Sequence, residues 1–328
     1  MSTPAVQRME PLHERAVPGR RRRVSWPVWF GLLSAIWGLS FMFIKVGDET
    51  LAPIQVAFGR MACGTVALVI LALVSRQHLP AGWRTWGHLA VAALLLNAAP
   101  FSLFAYGEEH TSSVLAGIFN AATPLFALPV AAWIIPTERL TRSRLVGLVV
   151  GFAGVLTVLG VWHGLGGSNL EGDLFCLAGA GCYGLGFPYA RRCLTGKAEP
   201  LSLATAQLLC GTIELAVVTP LVSAAPTTLP DRVILSVVAL GSLGTGLAYI
   251  LNFAIIRDAG ASTASTVTYV IPIFSSLAGV LILSEPLVWN EPLGAAVIIV
   301  GALASQDRVH LLRRYRQRQH RSPAGETP

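Results

Sequence analysis

Three ionisable residues lie inside long apolar runs of the sequence: Lys45, Arg60 and Glu214. Ionisable groups in such surroundings are candidates for binding a solute or a proton. A charge at the centre of a membrane helix costs about 2.5–3.5 kcal/mol by insertion measurements, so such a group usually faces protein or a water-filled path. Glu214 lies roughly 14 Å by helical rise from the end of its run, which places it near mid-membrane. We interpret Glu214 as a candidate for proton coupling or for binding a substrate amine. A hydrogen-bonded structural carboxyl is the alternative.

Lys45 and Arg60 lie toward the ends of their runs, so both can extend their charge toward water. Lys45 is the second coupling candidate. Contact of either cation with a substrate carboxylate is a further hypothesis.

A larger set of neutral polar and aromatic residues also falls inside apolar runs. An amide or hydroxyl in hydrocarbon must find a partner, so these side chains face another helix or a cavity. A cavity with a few placed polar groups and aromatic walls suits a small amphipathic metabolite, while hydrogen bonding between helices explains the same residues equally well. The candidates for substrate binding are Trp37, Asn97, Asn120, Tyr183, Asn252 and Tyr269.

The sequence offers little for catalysis or metal binding. The 7 His lie in tails, loops or the ends of apolar runs without HExxH spacing, and the 5 Cys form no CxxC pair. No GxxxxGK[ST] motif occurs, so ATP is not expected to drive the protein. We predict no catalytic residue, no metal site and no cofactor.

The elements that must hold these residues are membrane helices. The chain is 53% hydrophobic and 12% charged, against about 25% charged in a soluble domain, so most of its surface must face lipid. A membrane helix needs about 20 apolar residues, and runs such as 146–159 are apolar on all sides, unlike the alternating strands of a membrane β-barrel. Ten segments fit the chain: 27–47, 53–75, 86–107, 112–135, 143–162, 173–191, 201–223, 233–256, 261–284 and 291–306.

The distribution of Lys and Arg predicts the orientation. Of the 24 basic residues, 21 fall on one side if the N-terminus is cytoplasmic, and acidic residues such as Asp48, Glu108 and Asp173 dominate the opposite loops. Cytoplasmic loops are enriched in Lys and Arg, so we predict a multi-pass protein of the cytoplasmic membrane with both ends inside.

The net charge of +7 then reflects topology and contact with anionic lipid rather than nucleic-acid binding. Residues 1–26 are predicted to be a disordered basic arm and 307–328 a basic tail.

Two stretches of the chain repeat each other. Four anchors recur in order and at nearly the same spacing: Pro124, Glu138, Gly147 and Gly154 reappear as Pro272, Glu285, Gly294 and Gly301. Residues 27–162 and 163–306 therefore form two repeats of five segments each. Because five is odd, the second repeat crosses the membrane in the opposite sense, as in transporters with inverted repeats. The predicted fold is an all-α integral membrane protein of ten transmembrane helices.

The anchors suggest separate roles. A proline inside a helix removes a hydrogen bond and bends the helix, so Pro124 and Pro272 are candidate hinges, with a static bend as the alternative. Glu138 and Glu285 stand where a carboxylate can accept from free N–H groups at a helix N-terminus, and we interpret both as structural. The anchor glycines give the fifth and tenth segments a helix face without side chains, which favours close packing against another helix. The partner of this face is either another helix of the chain or a second copy in a homodimer.

The chain resembles the EamA-type branch of the drug/metabolite transporter superfamily over residues 27–306. The residues that carry the resemblance are Ala35-Ile36-Trp37-Gly38 through Lys45, Phe58-Gly59-Arg60, the Pro124…Thr137-Glu138-Arg139-Leu140 block and the looser Pro272…Ser284-Glu285-Pro286-Leu287 block. The resemblance implies a ten-helix fold, transport of small metabolites, and a central cavity lined mainly by segments 1, 3, 4, 6, 8 and 9. The family's Phe-x-Arg pattern also implies a helix-packing role for Arg60.

Together these features predict a secondary transporter that exports a small organic metabolite, such as an amino acid or a related compound, by alternating access. Its transport would be proton-coupled or simply down a gradient. An uptake carrier or exchanger of the same fold also fits the sequence, as does an accessory or sensor membrane protein that does not transport. A membrane enzyme would need a cluster of acids, His or Cys near one face, which the sequence lacks. The expected partners are a small-molecule substrate and the lipid bilayer.

Overall fold

The computed structural model describes residues 26–136, 140–163 and 170–305, which form helices and their connections without a strand. Of the predicted arm only Trp26 is described, and the predicted tail and Glu138 lie outside the described residues. The first repeat contributes α1 (Trp26–Gly47), α2 (Pro53–Val74), α3 (Trp83–His110), α4 (Ser113–Ile134) and α5 (Arg142–Val158). The second contributes α6 (Leu170–Leu194), α7 (Pro200–Val222), α8 (Asp231–Ala259), α9 (residues 261–281) and α10 (Asn290–Ser305).

The ten helical segments of the described chain follow the predicted order, and the all-α class with a duplicated architecture is confirmed. Six of them, α1 to α4, α7 and α8, are long and apolar enough to cross a membrane by length and composition. The last part of α9, Ile271–Leu281, and α10 are shorter apolar helices. Ten membrane crossings therefore stay a prediction.

The observed helices differ from the predicted segments mainly at their ends. α3 and α8 extend beyond the predicted 86–107 and 233–256, because hydropathy marks the apolar middle of a helix and not its polar last turn. α5 stops at Val158, and a short 3₁₀ turn, Val161–His163, follows. Its first turn is capped by Thr141, whose hydroxyl accepts from the Arg144 N–H at 3.3 Å.

Four helices are irregular, and they form two pairs related by the repeat. α3 contains a π-helical turn at Leu94–Ala98, and α8 contains one at Ser242–Leu247. α4 consists of Ser113–Asn120 and Thr123–Ile134, and α9 of Ala261–Ala264, a 3₁₀ turn at Ser265–Tyr269, and Ile271–Leu281.

The breaks in α4 and α9 lie directly before the repeated prolines. Pro124 and Pro272 each stand in the first turn of the second α-helical piece. The missing N–H of a proline costs least there, because the first N–H groups of a helix have no partner within the helix. The chain therefore interrupts each helix just ahead of its proline and starts a new one.

α5 and α10 pack against each other through their glycine faces. A Cβ atom added to Gly147 would lie 2.6 Å from the Gly301 carbonyl oxygen, and one added to Gly301 would lie 2.6 Å from that of Gly147. Gly154 and Gly294 are related in the same way, at 2.9 Å in both directions. The glycine faces of α5 and α10 are thus in contact with each other within one chain, and they do not form a contact between two copies.

Two further glycines allow α1 to approach α9 and α6 to approach α4. A Cβ atom on Gly38 would lie 3.0 Å from the Ile271 carbonyl oxygen, next to the break of α9. A Cβ atom on Gly184 would lie 3.0 Å from the Ala127 nitrogen, just after the break of α4. Backbone meets backbone at both places, so the first helix of each repeat supports the broken helix of the other.

Candidate functional site

A cavity of about 210 Å³ lies between the two repeats, and its lining comes from every helix except α5 and α10. The resemblance implied a lining mainly from α1, α3, α4, α6, α8 and α9. The structure adds one residue from α2, Arg60, and one from α7, Gln207. Among the described lining residues, Arg60 carries the only charge, and the others are apolar, aromatic, hydroxyl or amide side chains.

Aromatic rings form one continuous wall of the cavity. Phe41 and Phe104 meet edge to face with centroids 5.5 Å apart. Phe104 lies 6.1 Å from Tyr183, which stacks on Phe187 at 5.9 Å. The wall therefore joins α1 and α3 of the first repeat to α6 of the second, and it presents flat apolar surface to a bound solute.

Arg60 is held in place by contacts with both repeats. Its Cζ atom lies 3.7 Å from the centroid of the Phe101 ring, which is a cation–π contact. Its Nε–H donates to Thr245 Oγ1 at 3.1 Å, and the residue is only 8% exposed. The predicted packing contacts exist, but the same side chain also lines the cavity.

A chain of amide and phenol groups mirrors this arrangement on the other side. Gln207 Nε2 donates to Asn97 Oδ1 at 2.6 Å, and Asn97 Nδ2 donates to the Tyr249 hydroxyl oxygen at 3.1 Å. Asn97 lies in the π turn of α3, as Thr245 lies in the π turn of α8. Each repeat thus donates from its second helix to the π turn of the other.

The hydroxyls of Thr65 and Thr212 show where the two repeats meet symmetrically. Their Oγ1 atoms lie 2.7 Å apart, and each residue follows the proline that begins its helix, Pro53 or Pro200, by twelve positions. Equivalent atoms can touch only near the axis that relates the repeats. The pseudo-two-fold axis therefore runs between α2 and α7.

The structure brings most of the predicted binding residues to the cavity. Trp37, Asn120, Tyr183 and Asn252 line it. Asn97 lies behind two lining residues through the hydrogen bonds described above. The predicted position of Tyr269 differs, because this residue is 6% exposed and packs in the hydrophobic core beside the cavity, whose lining takes Thr268 and Ile271 instead.

The two coupling candidates lie away from the cavity lining. Glu214 is partly buried on α7, and its Oε2 atom is buried without a hydrogen-bond partner in the described chain. Lys45 donates from Nζ to the backbone carbonyls of Glu108 and of Thr111, the latter at 2.9 Å. Its charge therefore satisfies carbonyl groups at the C-terminal end of α3, where a cation is favoured.

Two further acidic residues surround this end of α3. Glu108 is fully buried, and neither of its carboxyl oxygens has a hydrogen-bond partner among the described residues. The carboxyl oxygens of Asp48, in the turn after α1, are buried too, and no residue in the described ranges forms a hydrogen bond with them. Burial raises the pKa of Asp48 from 3.8 to about 9; the charge of Glu109 adds to the rise and that of Lys45 opposes it.

Glu285 connects the two repeats at the start of α4. Its carboxylate accepts from the Ser113 N–H at 2.9 Å, from the Ser113 hydroxyl at 2.7 Å and from the Val114 N–H at 3.2 Å. These are free N–H groups of a helix N-terminus, but the helix belongs to the other repeat and not to the segment that follows Glu285 in sequence. Its repeat partner Glu138 lies outside the described residues.

Sequence reasoning missed Tyr249 as a cavity residue. It placed Gln207 only in the larger set of polar residues inside apolar runs, and it gave Arg60 both a packing role and the hypothesis of a substrate contact. The repeat alignment contained the signal, because Gln207 is the equivalent of Arg60 and Tyr249 the equivalent of Phe101. In the sequence Glu108 has the pattern of a loop charge, because it lies next to Glu109 and His110 at the polar end of α3. No group of three or more His, Cys, Asp or Glu able to hold a metal occurs in the described part of the chain.

Apolar helices in two inverted repeats, with broken helices beside a central cavity, define a membrane transporter. The chain belongs to the EamA-like transporter family, whose profile matches residues 25–160 and 170–305 and so matches each repeat once.

Individual relatives agree with this assignment. The chain is 24% identical over 275 residues to an uncharacterised transporter of Archaeoglobus fulgidus, covering 82% of this chain and 94% of that protein. It is 28% identical over 284 residues to the uncharacterised inner membrane transporter YedA of Escherichia coli, covering 84% and 89%. A solved crystal structure shares the fold at a TM-score of 0.62, with 18% identity and coverage of 86% of this chain and 98% of that one.

Proposed function

We propose that the protein is a secondary transporter of the cytoplasmic membrane that exports a small organic metabolite by alternating access. The observation that carries the proposal is the cavity between the two repeats, which each repeat lines with equivalent helices. The name of the YedA relative, an inner membrane transporter, supports the choice of membrane. The wider family hosts many solutes, so the substrate must be argued from the cavity itself.

The broken helices supply a route for alternating access. Pro124 and Pro272 follow interruptions in α4 and α9, and both helices contribute to the cavity through residues beside the breaks, such as Thr123 and Ile271. We propose that the two breaks act as hinges, so that one repeat tilts against the other around the bound solute. Normal turnover in a Pro124→Ala variant would remove this part of the proposal.

The outer end of the cavity, in the predicted orientation, is closed by packed side chains. Ile44 and Phe104 are each only 2% exposed, and Val114 and Glu108 beyond them are fully buried. An exporter loads its solute from the cytoplasm while the outer side is closed, so closure on this side agrees with the export that we propose. Lys45, which holds the end of α3 at this closure, would move when the outer side opens.

Proton coupling rests on the buried carboxyl groups. Glu214 lies in the predicted outer half of α7, its buried Oε2 atom has no partner among the described residues, and it is the coupling residue we propose. A carboxyl group in such a place can bind and release a proton as the helix changes its surroundings. Glu108, at the closed outer end, is an additional candidate.

Flux in proteoliposomes tests the function directly. A panel of metabolites is first compared between cells that lack and cells that overexpress the protein, and solutes that change are then measured with purified protein, with and without a pH gradient. We expect protein-dependent efflux that the gradient accelerates, and a Glu214→Gln variant that no longer responds to the gradient. Glu199→Gln, at an exposed helix start, is the matched control.

The outcomes separate the parts of the proposal. Absence of flux for every solute would leave an accessory or sensor role as the better explanation. Flux that runs equally well in the Glu214→Gln variant at every pH would remove Glu214 as the coupling residue while leaving transport intact. Homodimer formation is a separate proposal, for which the glycine faces of α5 and α10 no longer argue.

A further inference from the structure

Arg60 is a cation in the cavity wall without an acidic partner. Within the described chain it forms no salt bridge, and no described lining residue is acidic. The buried carboxyl oxygens of Glu108 form no hydrogen bond with the guanidinium in the described chain. A guanidinium stays ionised in proteins, and a buried charge is stable only when paired or well hydrogen-bonded.

Most of the donor capacity of Arg60 is unused. A guanidinium has five N–H donors, and the structure assigns only the Nε–H of Arg60 to an acceptor, Thr245. The Phe101 ring lies against the flat face of the Arg60 guanidinium. The N–H groups at the edge of the guanidinium therefore remain available to a planar acceptor. A carboxylate matches that edge through two parallel hydrogen bonds.

Phenol groups near Arg60 extend the array of donors. The Tyr249 hydroxyl oxygen accepts from Asn97, which leaves the hydroxyl hydrogen free to donate, and Tyr249 lines the cavity. Tyr183 lines the cavity too, so the two phenols and Arg60 face the same space. The cavity therefore offers several hydrogen-bond donors, and no acidic side chain of the described lining faces them. Such a site favours a solute that has hydrogen-bond acceptors and a negative charge.

The rest of the cavity selects for an apolar body. The aromatic wall of Phe41, Phe104, Tyr183 and Phe187 provides flat surface beside the polar array. The volume of about 210 Å³ suits a small molecule rather than a lipid or a peptide.

We infer that the cavity recognises organic carboxylates with an apolar or aromatic body, and that Arg60 binds the carboxylate while Tyr249 donates to it. This inference rests on the proposed function, since it names the substrate class of the same cavity. Amines without a carboxylate are disfavoured because the described lining holds no anion to pair with them.

Binding by the purified full-length protein in detergent tests this substrate class without requiring transport. Radiolabelled 3-phenylpropanoate is the probe, and unlabelled 3-phenylpropanoate, phenylalanine, 3-phenylpropanamide and 3-phenylpropylamine compete with it at neutral pH, where the carboxylates are ionised. We expect the two carboxylates to compete, and the amide and the amine to bind at least about tenfold more weakly, as expected for losing charge-assisted hydrogen bonds.

Variants then assign the recognition to Arg60. Arg60→Gln should weaken carboxylate binding at least about tenfold and leave the weak amine binding unchanged, with Arg60→Lys in between because it keeps the charge but not the fork. Arg84→Gln is the matched control, since Arg84 also faces an aromatic ring, Trp83 at 5.6 Å, but lies on the surface. If Arg60→Gln fails to fold, the wild-type ligand series decides, together with Tyr249→Phe, which should weaken the carboxylates alone.

The results distinguish this inference from the proposed function. Equal binding of carboxylate, amide and amine, no saturable binding of any carboxylate, or full carboxylate binding by a folded Arg60→Gln protein would each overturn the inference. Protein-dependent flux of an amine but not of carboxylates would overturn it while leaving the transporter function intact. Carboxylate binding without flux of any solute would support the inference and contradict transport.

Discussion

Arg60 and Gln207 occupy equivalent positions in the two repeats but differ in chemistry, since one is a cation and the other a neutral amide. Both lie at the equivalent place of their repeat, and both donate to a π turn of the other repeat, at Thr245 and Asn97. The scaffold around them is nearly symmetric, but a guanidinium stands on one side and an amide on the other. The solute is therefore recognised where the two repeats differ, and Arg60 is the largest such difference in the described cavity.

The turn after α1 contains a carboxyl group whose protonation should depend on folding. Both oxygens of Asp48 are buried, and its pKa is raised to about 9, first by burial and then by Glu109. In the unfolded chain the same carboxyl titrates near 3.8. The folded state therefore holds a proton that the unfolded state releases, and the contribution of Asp48 to stability falls as pH rises from about 4 to about 9.

We accordingly predict that Asp48→Asn raises the melting temperature in detergent, and that the gain grows between pH 5 and pH 9. An amide keeps the size of the carboxylic acid but cannot ionise, so a gain of about 2 °C or more is expected at the alkaline end. Thermal unfolding across this pH range measures it. Glu49→Gln, next in sequence but exposed, is the control and should give a flat difference. A pH-independent effect of Asp48→Asn would contradict the prediction.

At the scale of elements, the broken helices are held by glycines of the opposite repeat. Gly38 of α1 meets the Ile271 carbonyl of α9, and Gly184 of α6 meets the backbone of α4 at Ala127. Residues next to both breaks, Thr123 and Ile271, line the cavity, so these glycine contacts lie close to it. Pro124 and Pro272 each stand in the first turn of the helical piece after the break, and the facing glycine allows the neighbouring helix to approach closely.

We predict that Gly38→Ala and Gly184→Ala destabilise the protein by about 1–3 kcal/mol, because a methyl group cannot fit against the backbone there. Gly31→Ala and Gly181→Ala are matched controls in the same two helices, since a Cβ atom at either meets nothing within 4 Å. These controls should be neutral or slightly stabilising, because alanine favours a helix over glycine by about 1 kcal/mol. Thermal unfolding of the four variants measures the effect, and equal behaviour of both pairs would exclude this role for the glycines.

At the scale of the whole molecule, contacts between the two repeats surround the cavity that lies between them. The glycine faces of α5 and α10 meet on one side, and Thr65 and Thr212 meet between α2 and α7. Glu285 adds a link across the boundary by accepting from the start of α4. The inverted relation also predicts which loops face which side, since equivalent loops must lie on opposite faces.

Labelling of single cysteines tests the predicted orientation. In a variant without the 5 native cysteines, Glu49→Cys should react with a membrane-impermeant maleimide in intact cells, because its loop is predicted to face outward. Lys197→Cys lies in an exposed loop on the predicted cytoplasmic side and should react only after the membrane is permeabilised. The reverse pattern would invert the topology and, with it, the assignment of the closed end of the cavity.

The sequence by itself determined the helical membrane class, the two repeats, and the interruptions near Pro124 and Pro272. Apolar run length, helix-breaking residues and repeat spacing are local properties, so they can be read without the tertiary structure. Four of the predicted binding residues, Trp37 among them, reached the cavity because polar and aromatic groups in lipid must turn toward protein.

Only the tertiary structure decided how these residues act together. Arg60 stands on the cavity wall because the second repeat presents Thr245 opposite to it, and Glu285 caps α4 although a different helix follows it in sequence. Tyr269 lies in the core because the 3₁₀ turn of α9 rotates Thr268 toward the cavity instead. Such contacts depend on how two distant halves dock around a shared axis, and no local pattern of residues encodes that docking.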